Sequence, residues 1–201
     1  MTALLSSAYF APVQWFQKLF RCGGALIEYH DSFVKQTYRN RCVIATASGP
    51  LALTVPVVHA AHAKGKDMRV SGHGNWRHLH WNAIASAYGE APFFEFLEDG
   101  IRPFFEKEWT FLYDFNMEIT LAMCDMLGIS PDIRPTESYV RTPKADVSDY
   151  RSVIDPKHPL ADTDFNPQPY YQVYARRNGF LPNLSIIDLL LNMGGESVLY
   201  L

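Results

Sequence analysis

Cysteine is scarce in this chain, and the three present (Cys22, Cys42 and Cys124) are scattered. They form no CxxC pair and no zinc-ligand spacing, so a reduced, cytoplasmic protein is expected. No apolar run approaches the ~20 residues that cross a bilayer, so membrane insertion is not expected either. The start of the chain lacks the basic region and long apolar core of a signal peptide. Three common catalytic signatures are missing: the GxSxG elbow, the phosphate-binding P-loop and the GxGxxG fingerprint. Serine hydrolases of that type, P-loop NTPases and ordinary dinucleotide enzymes are therefore disfavoured, and no cofactor is called for. A basic excess is absent as well. With 18 Lys and Arg against 21 Asp and Glu the net charge is -3, which argues against a nucleic-acid binder. Any anion site must be local.

What is present describes a folded globular protein. The 201 residues are 48% hydrophobic and 19% charged, enough for one well-packed domain over residues 1–201. There are no internal repeats and no low-complexity segments.

Residues 3–8 form a short apolar run suited to a buried strand. Pro12 then opens a helix with Val13, Phe16, Gln17 and Phe20 at helical spacing, and Gly23-Gly24 ends it. Residues 25–29 follow as a second strand. The series predicts a βαβ unit with a parallel pair, as in Rossmann-like folds. Residues 42–46 and 51–57 flank the turn residues Ser48-Gly49-Pro50 and predict a hairpin. Residues 59–75 read as a polar, glycine-bearing loop whose length points to function or mobility. A helix is expected from Trp76 to Gly89, another over 92–97, and the longest from Pro103 to Gly128. Residues 133–140 and 170–174 read as strands, and 141–169 as an irregular, proline- and aspartate-rich excursion. The tail, 184–193, is an apolar helix that Asn183 or Ser185 caps. The fold class is α/β: a single domain with a partly parallel sheet, a hairpin and a helix-rich second half.

The most unusual chemistry lies in Lys35-Gln36-Thr37-Tyr38-Arg39-Asn40-Arg41. Arginine donates in a bidentate fork and lysine acts as a point charge, so this heptad can clamp phosphate or carboxylate. The amides of Gln36 and Asn40 and the Tyr38 phenol suit sugar hydroxyls. Were the heptad a strand, Lys35, Thr37, Arg39 and Arg41 would share one face. The bland reading is a solvated loop or edge strand whose charges block aggregation.

Several ordered motifs then resemble one family. They are Tyr9-Phe10-Ala11-Pro12-Val13-Gln14-Trp15-Phe16, the heptad, and Leu53-Thr54-Val55-Pro56-Val57. Trp76-Arg77 with His80-Trp81, Ala87-Tyr88, and Ala91-Pro92-Phe93-Phe94-Glu95 continue the series. Asn183-Leu184-Ser185-Ile186-Ile187-Asp188-Leu189-Leu190 and Gly195-Glu196-Ser197 complete it. Together they resemble the WbqC-like protein family across nearly the whole chain. A departure is Ala11, where a second proline beside Pro12 is expected. The resemblance implies a place in bacterial surface-polysaccharide (O-antigen) clusters and action on sugars. It implies no catalytic residues.

Several side chains compete for roles. Glu28 ends the second predicted strand, where open α/β sheets place ligands, and serves either as a proton carrier or as an ion pair to the heptad. His80, beside Arg77 and Trp81, suits a general base because its charge changes near neutral pH; a hydrogen-bonded packing histidine is the alternative. Trp76 and Trp81 can stack on a sugar ring or fill the core. Asp188, inside an apolar helix, needs a partner, and Arg39 or Arg77 would serve, making it a support behind the site. His59 and His62 are spaced for a zinc-binding helix face, but carboxylates are few there, and no metal site is assigned. Cys42 is a nucleophile candidate only if Arg41 lowers its pKa. The reading is a transferase of surface-glycan biosynthesis acting on a nucleotide-linked or amino sugar. The alternative is a non-catalytic binding or assembly protein in which the heptad is an ion-pair hub.

Overall fold

A computed structural model describes residues 1–58 and 64–201. The βαβ unit is present. Strand β1 (Thr2–Ser6) leads through helix α1 (Val13–Cys22) to β2 (Gly24–Glu28). The two strands pair in parallel with Ala3 opposite Ala25 and Leu5 opposite Ile27. Gly23, at φ 68°, closes α1 by donating its N–H to the Phe20 carbonyl, a left-handed position that glycine occupies without steric cost. The start of α1 is capped from far along the chain. Asn183 Oδ1 accepts from the Gln14 N–H at 3.0 Å.

The turn between β1 and α1 is strained. Phe10 has φ 39°, a conformation that costs an aromatic residue roughly 1–3 kcal/mol. Its ring is fully buried, stacked on Phe105 with centroids 5.9 Å apart and edge-on to Tyr9 at 5.0 Å. Burying a phenylalanine contributes about 1.5–3 kcal/mol, enough to offset the backbone. The Phe10 carbonyl also accepts from Ser185 Oγ at 2.8 Å.

Next comes the hairpin of β3 (Arg41–Thr46) and β4 (Gly49–Thr54), with Cys42 opposite Leu53 and Ile44 opposite Leu51. A small antiparallel ladder joins β5 (Val57–Val58) to β6 (Arg69–Val70). Helix α2 (Trp76–Tyr88) ends at Gly89 as its pattern predicts, and α3 (Phe94–Ile101) follows. The helix expected from Pro103 to Gly128 is broken in two: α4 (Pro103–Glu106) and α5 (Leu112–Met126). Between them the chain turns extended to meet β6. Val70 N–H donates to the Thr110 carbonyl at 3.0 Å and Leu112 N–H to the Met68 carbonyl at 2.8 Å. Backbone pairing overrides the aromatic periodicity there.

Strands β7 (Asp132–Pro135) and β8 (Val147–Asp149) complete a four-stranded parallel sheet in the order β7-β2-β1-β8. The strand read over 133–140 is cut short after Pro135. Residues 170–174 are not a strand. Gln172 instead bonds by its side chain to both backbone groups of Leu181, which leads the chain into α6 (Ala175–Asn178) and then α7 (Ile186–Met193). Ser185 Oγ caps α7 by accepting from the Ile187 N–H. The fold is α/β with a single contiguous core that draws on the sheet, the hairpin and α1, α2, α5 and α7.

Candidate functional site

The sheet's carboxyl ends gather Ser6 of β1, Glu28 of β2, Thr136 after β7 and Asp149 of β8. From β1 the chain moves to β2 and β7 on one side, then returns to β8 on the other. The β1–β8 junction is thus a topological switch point, where open α/β sheets leave a crevice for ligands. A cleft of about 880 Å³ opens there, lined by Asp31, Arg39, Lys64, Tyr139, Asp149 and Arg151 among others.

Two guanidinium groups shape it. Arg39 Nε donates to Asp31 Oδ2 at 3.0 Å, and Nη2 donates to the same oxygen and to Ser6 Oγ at 2.9 Å. Behind it, Asn116 Nδ2 on α5 donates to the Arg39 carbonyl at 2.8 Å. Arg151 is forked onto Asp149, with Nε–Oδ1 at 2.9 Å and Nη2–Oδ2 at 2.6 Å, and its Nη1 donates to Glu28 Oε2 at 2.8 Å. Its guanidinium also lies over the Tyr139 ring, 5.4 Å from the centroid. Burial works against ionisation of Asp149, but the Arg151 hydrogen bonds outweigh it and hold the carboxyl below its ordinary value. The same bonds raise Arg151. Both arginine side chains are only 13–14% exposed, so these pairs are stronger than freely solvated surface pairs. Asp31, Arg39, Asp149 and Arg151 all line the cleft, so donor and acceptor side chains that suit a polyhydroxylated ligand share one surface.

The residues read from sequence are distributed as follows. Residues 35–40 form turns, not a strand, so the shared face of Lys35, Thr37, Arg39 and Arg41 does not exist. Of the heptad's three cations, Arg39 alone lines the cleft. Lys35 is exposed. Gln36 sits at φ 61° and accepts from Lys157 Nζ through its side chain. Burial, then Asp155 and Cys42, push the Tyr38 phenol up to about 12. Asn40 is buried, with Nδ2 donating to the Val55 carbonyl at 2.9 Å. Arg41 Nε donates to Thr54 Oγ1 across the hairpin at 3.1 Å. The heptad mainly shapes the turn that delivers Arg39.

Glu28 lies beneath the cleft with its side chain fully buried. Four donors occupy it: Arg151, Thr136 Oγ1, and the N–H groups of His30 and Val140. Its ion pair is with Arg151, not with the heptad. His80 is in the core, apart from the cleft. Its Nδ1 is hydrogen-bonded to the Tyr9 hydroxyl at 2.9 Å, the Trp76 ring lies 5.2 Å away, and burial lowers its pKa to about 4. Trp76 is buried and donates Nε1–H to the Ser71 carbonyl at 2.8 Å. Arg77 and Trp81 line a separate groove of about 340 Å³ with His78 and Arg102. Trp81 is stacked on Phe94 at 6.1 Å. Cys42 is buried and its thiol is pushed far up by desolvation, which removes it as a thiolate nucleophile. His59 and His62 lie outside the described residues.

The WbqC-like protein family model matches residues 7–158. The chain belongs to the WbqC-like family. The matched span covers Asp31, Arg39, Asp149 and Arg151, while the motifs at 183–190 and 195–197 fall beyond it. A relative is the uncharacterized protein Rv1507c of Mycobacterium tuberculosis, 29% identical over 200 residues, covering 87% of this chain and 86% of its own. No solved structure matches. Among the described residues, no helix is long and apolar enough to cross a membrane.

In this WbqC-like chain, Asp188 is held by neither Arg39 nor Arg77. Oδ1 accepts from Tyr88 Oη at 2.9 Å, and Oδ2 from Tyr170 Oη at 2.7 Å and Gln172 Nε2 at 2.8 Å. Burial raises its pKa, and these three bonds only partly offset that. Sequence reasoning missed Asp31, Asp149 and Arg151. Asp149 and Arg151 border a three-residue strand inside an excursion whose composition reads as irregular, so no periodicity marks them. Asp31 carried a signal: a carboxylate shortly after a strand end, eight residues before an arginine.

Proposed function

We propose that this chain is an enzyme of bacterial surface-glycan assembly, a transferase that binds a nucleotide-linked or amino sugar in the cleft at the sheet's carboxyl ends. The observation that carries the reading is the pair of carboxylate-held guanidiniums, Arg39–Asp31 and Arg151–Asp149, facing one cleft at the switch point. Preset ion pairs offer both donors and acceptors to sugar hydroxyls, and a carboxylate can hold a sugar ammonium group. Family membership supports action on a sugar. The side chain assigned to take a proton from an acceptor hydroxyl is Asp31, which lines the cleft. Glu28 is fully occupied beneath it, and His80 is bonded to Tyr9 in the core.

A second reading rests on the number of bonds Arg39 makes. It donates to Asp31, Ser6 and Thr37, as the ion-pair hub of a non-catalytic binding or assembly protein would. Titration calorimetry with a panel of nucleotide sugars and amino sugars separates the two. The enzyme reading expects a ligand whose affinity falls about tenfold or more in Arg39→Ala and Arg151→Ala, with Lys35→Ala unchanged. A lowered melting temperature in those variants, with no sugar ligand bound by the native protein, overturns the enzyme reading.

A further inference from the structure

Helix α1 packs against β1 and β2 on one face of the parallel sheet. On the other face the register aligns Thr2 with Val147, and Leu26 with both Leu4 and Arg134. The connection from β7 to β8, residues 136–146, runs over that face without forming a helix or strand. Parallel sheets usually bury both faces under helices, and here the substitution leaves a cavity of about 500 Å³. Leu26, Val140, Pro143 and Val147 give it apolar walls, and Arg134, Arg141 and Lys144 bring positive charge. Ser138 and Tyr139 line both this cavity and the cleft at the strand ends. A single stretch of chain thus divides two adjoining spaces.

The two spaces differ in how many of their lining cations are neutralised. In the cleft, Arg39 is matched by Asp31, and Arg151 by Asp149 and Glu28, and of its lining Lys and Arg residues only Lys64 has no ion-pair partner among the described residues. In the second cavity Arg134 pairs with Asp132 at 2.8 Å, but among the described residues Arg141 and Lys144 have no ion-pair partner. Asp146 is the other carboxylate on its lining. A diphosphate gains most where cations are not already neutralised, and a flat ring gains from apolar walls. A sugar needs neither.

We infer that the space under residues 136–146 takes the nucleoside diphosphate of the donor, with the donor's sugar reaching past Tyr139 into the cleft. The inference rests on the function proposed above and divides that donor between two subsites.

Calorimetry with uridine, thymidine and guanosine diphosphates, inorganic pyrophosphate and the matching nucleotide sugars tests it. One nucleoside diphosphate is expected to bind, at least tenfold tighter than pyrophosphate. The Arg141→Ala/Lys144→Ala variant is expected to weaken it about tenfold or more without changing the melting temperature. Arg151→Ala is expected to leave diphosphate binding intact and to remove the extra affinity that the sugar supplies. The inference is overturned if the double variant binds the diphosphate as the native protein does. It is overturned equally if Arg151→Ala abolishes that binding, if pyrophosphate binds as tightly, or if no nucleoside diphosphate binds. An amino sugar that binds alone, in an Arg39-dependent way, leaves the proposed function standing while this inference falls. Diphosphate binding that needs Arg141 and Lys144, with no contribution from any sugar, keeps the diphosphate subsite but overturns the division of a donor between two subsites, and with it the enzyme reading.

Discussion

Glu28 Oε2 accepts from Arg151 Nη1 at 2.8 Å, clamping the end of β2 to the residues just past β8 across the intervening strand β1. The same carboxylate also accepts from Thr136 Oγ1 at 2.9 Å and the Val140 N–H at 3.1 Å. One buried side chain therefore fixes Arg151 and pins the start of the crossing segment that divides the two cavities.

Removing one partner of a buried pair leaves the other uncompensated, typically at 3–5 kcal/mol. Arg151 retains Asp149, so Glu28→Ala is expected to cost about 3 kcal/mol, near the low end of that range. Urea unfolding checks this. Glu28→Gln should also destabilise, because all four groups facing the carboxylate are donors and an amide presents its own N–H toward some of them. A Glu28→Gln protein with native stability and no turnover would instead make Glu28 a proton carrier.

His80 gives a pH signature of opposite origin. Its folded pKa is about 4 against an ordinary 6.5, with burial as the main cause. The unfolded chain then binds more protons between those values, so stability rises with pH through that window. This contribution is fully present above pH 6.5 and lost as pH falls to about 4; its size is on the order of 3 kcal/mol. His80→Asn, whose amide can still meet the Tyr9 hydroxyl, should flatten that part of the stability–pH curve. An unchanged slope between native and variant proteins would place the titration elsewhere.

Asp188 titrates with the other sign. Its folded pKa is raised, first by burial, so its contribution is complete below the unfolded carboxylate value and declines as pH rises through the folded one. The groups facing it are Tyr88, Tyr170 and Gln172. Burial pushes both phenols further up, and the amide does not titrate, so Asp188 is the group in this cluster that changes charge in the acid range. Asp188→Asn loses hydrogen-bond fit at every pH. The gap in unfolding free energy between native and variant proteins should nonetheless narrow as pH rises above about 4. A gap independent of pH would contradict the raised pKa.

The βαβ unit, the hairpin and α2 were legible because local pattern and tertiary context agree there: Pro12 and Gly23 bound α1, and Gly49 turns the hairpin. The α4–α5 break was hidden because Trp109 and Leu112 keep helical spacing while the backbone of Thr110 and Leu112 pairs with Val70 and Met68. At the site, Arg39 was visible as part of a charge cluster. Its neighbours Lys35 and Arg41 were not distinguishable from it, since a turn and not a strand decides which cation faces inward. The heptad's other cations were expected to act together with it; one guanidinium enters the cleft, and the second comes from residue 151.

Gly65 supplies a sharper probe of the cleft than any charge removal. Its N–H donates to the Asp31 carbonyl at 2.7 Å, and a Cβ added there would lie 2.6 Å from Asp31 Oδ1. Gly65→Ala must therefore displace the Asp31 carboxylate, while Arg39 keeps its bonds to Ser6 and Thr37. Overpacking of this kind typically costs 1–3 kcal/mol, and a shift at the cleft edge should keep the cost near about 1 kcal/mol. Sugar affinity is expected to fall about tenfold, since the acceptor edge of the Arg39–Asp31 pair is lost. Gly72→Ala is the control, because an added Cβ meets no atom within 4 Å there. Its melting temperature and sugar affinity should match the native protein. Equal affinity in native and Gly65→Ala proteins would remove Asp31 from the binding surface, whatever the stability of the variant.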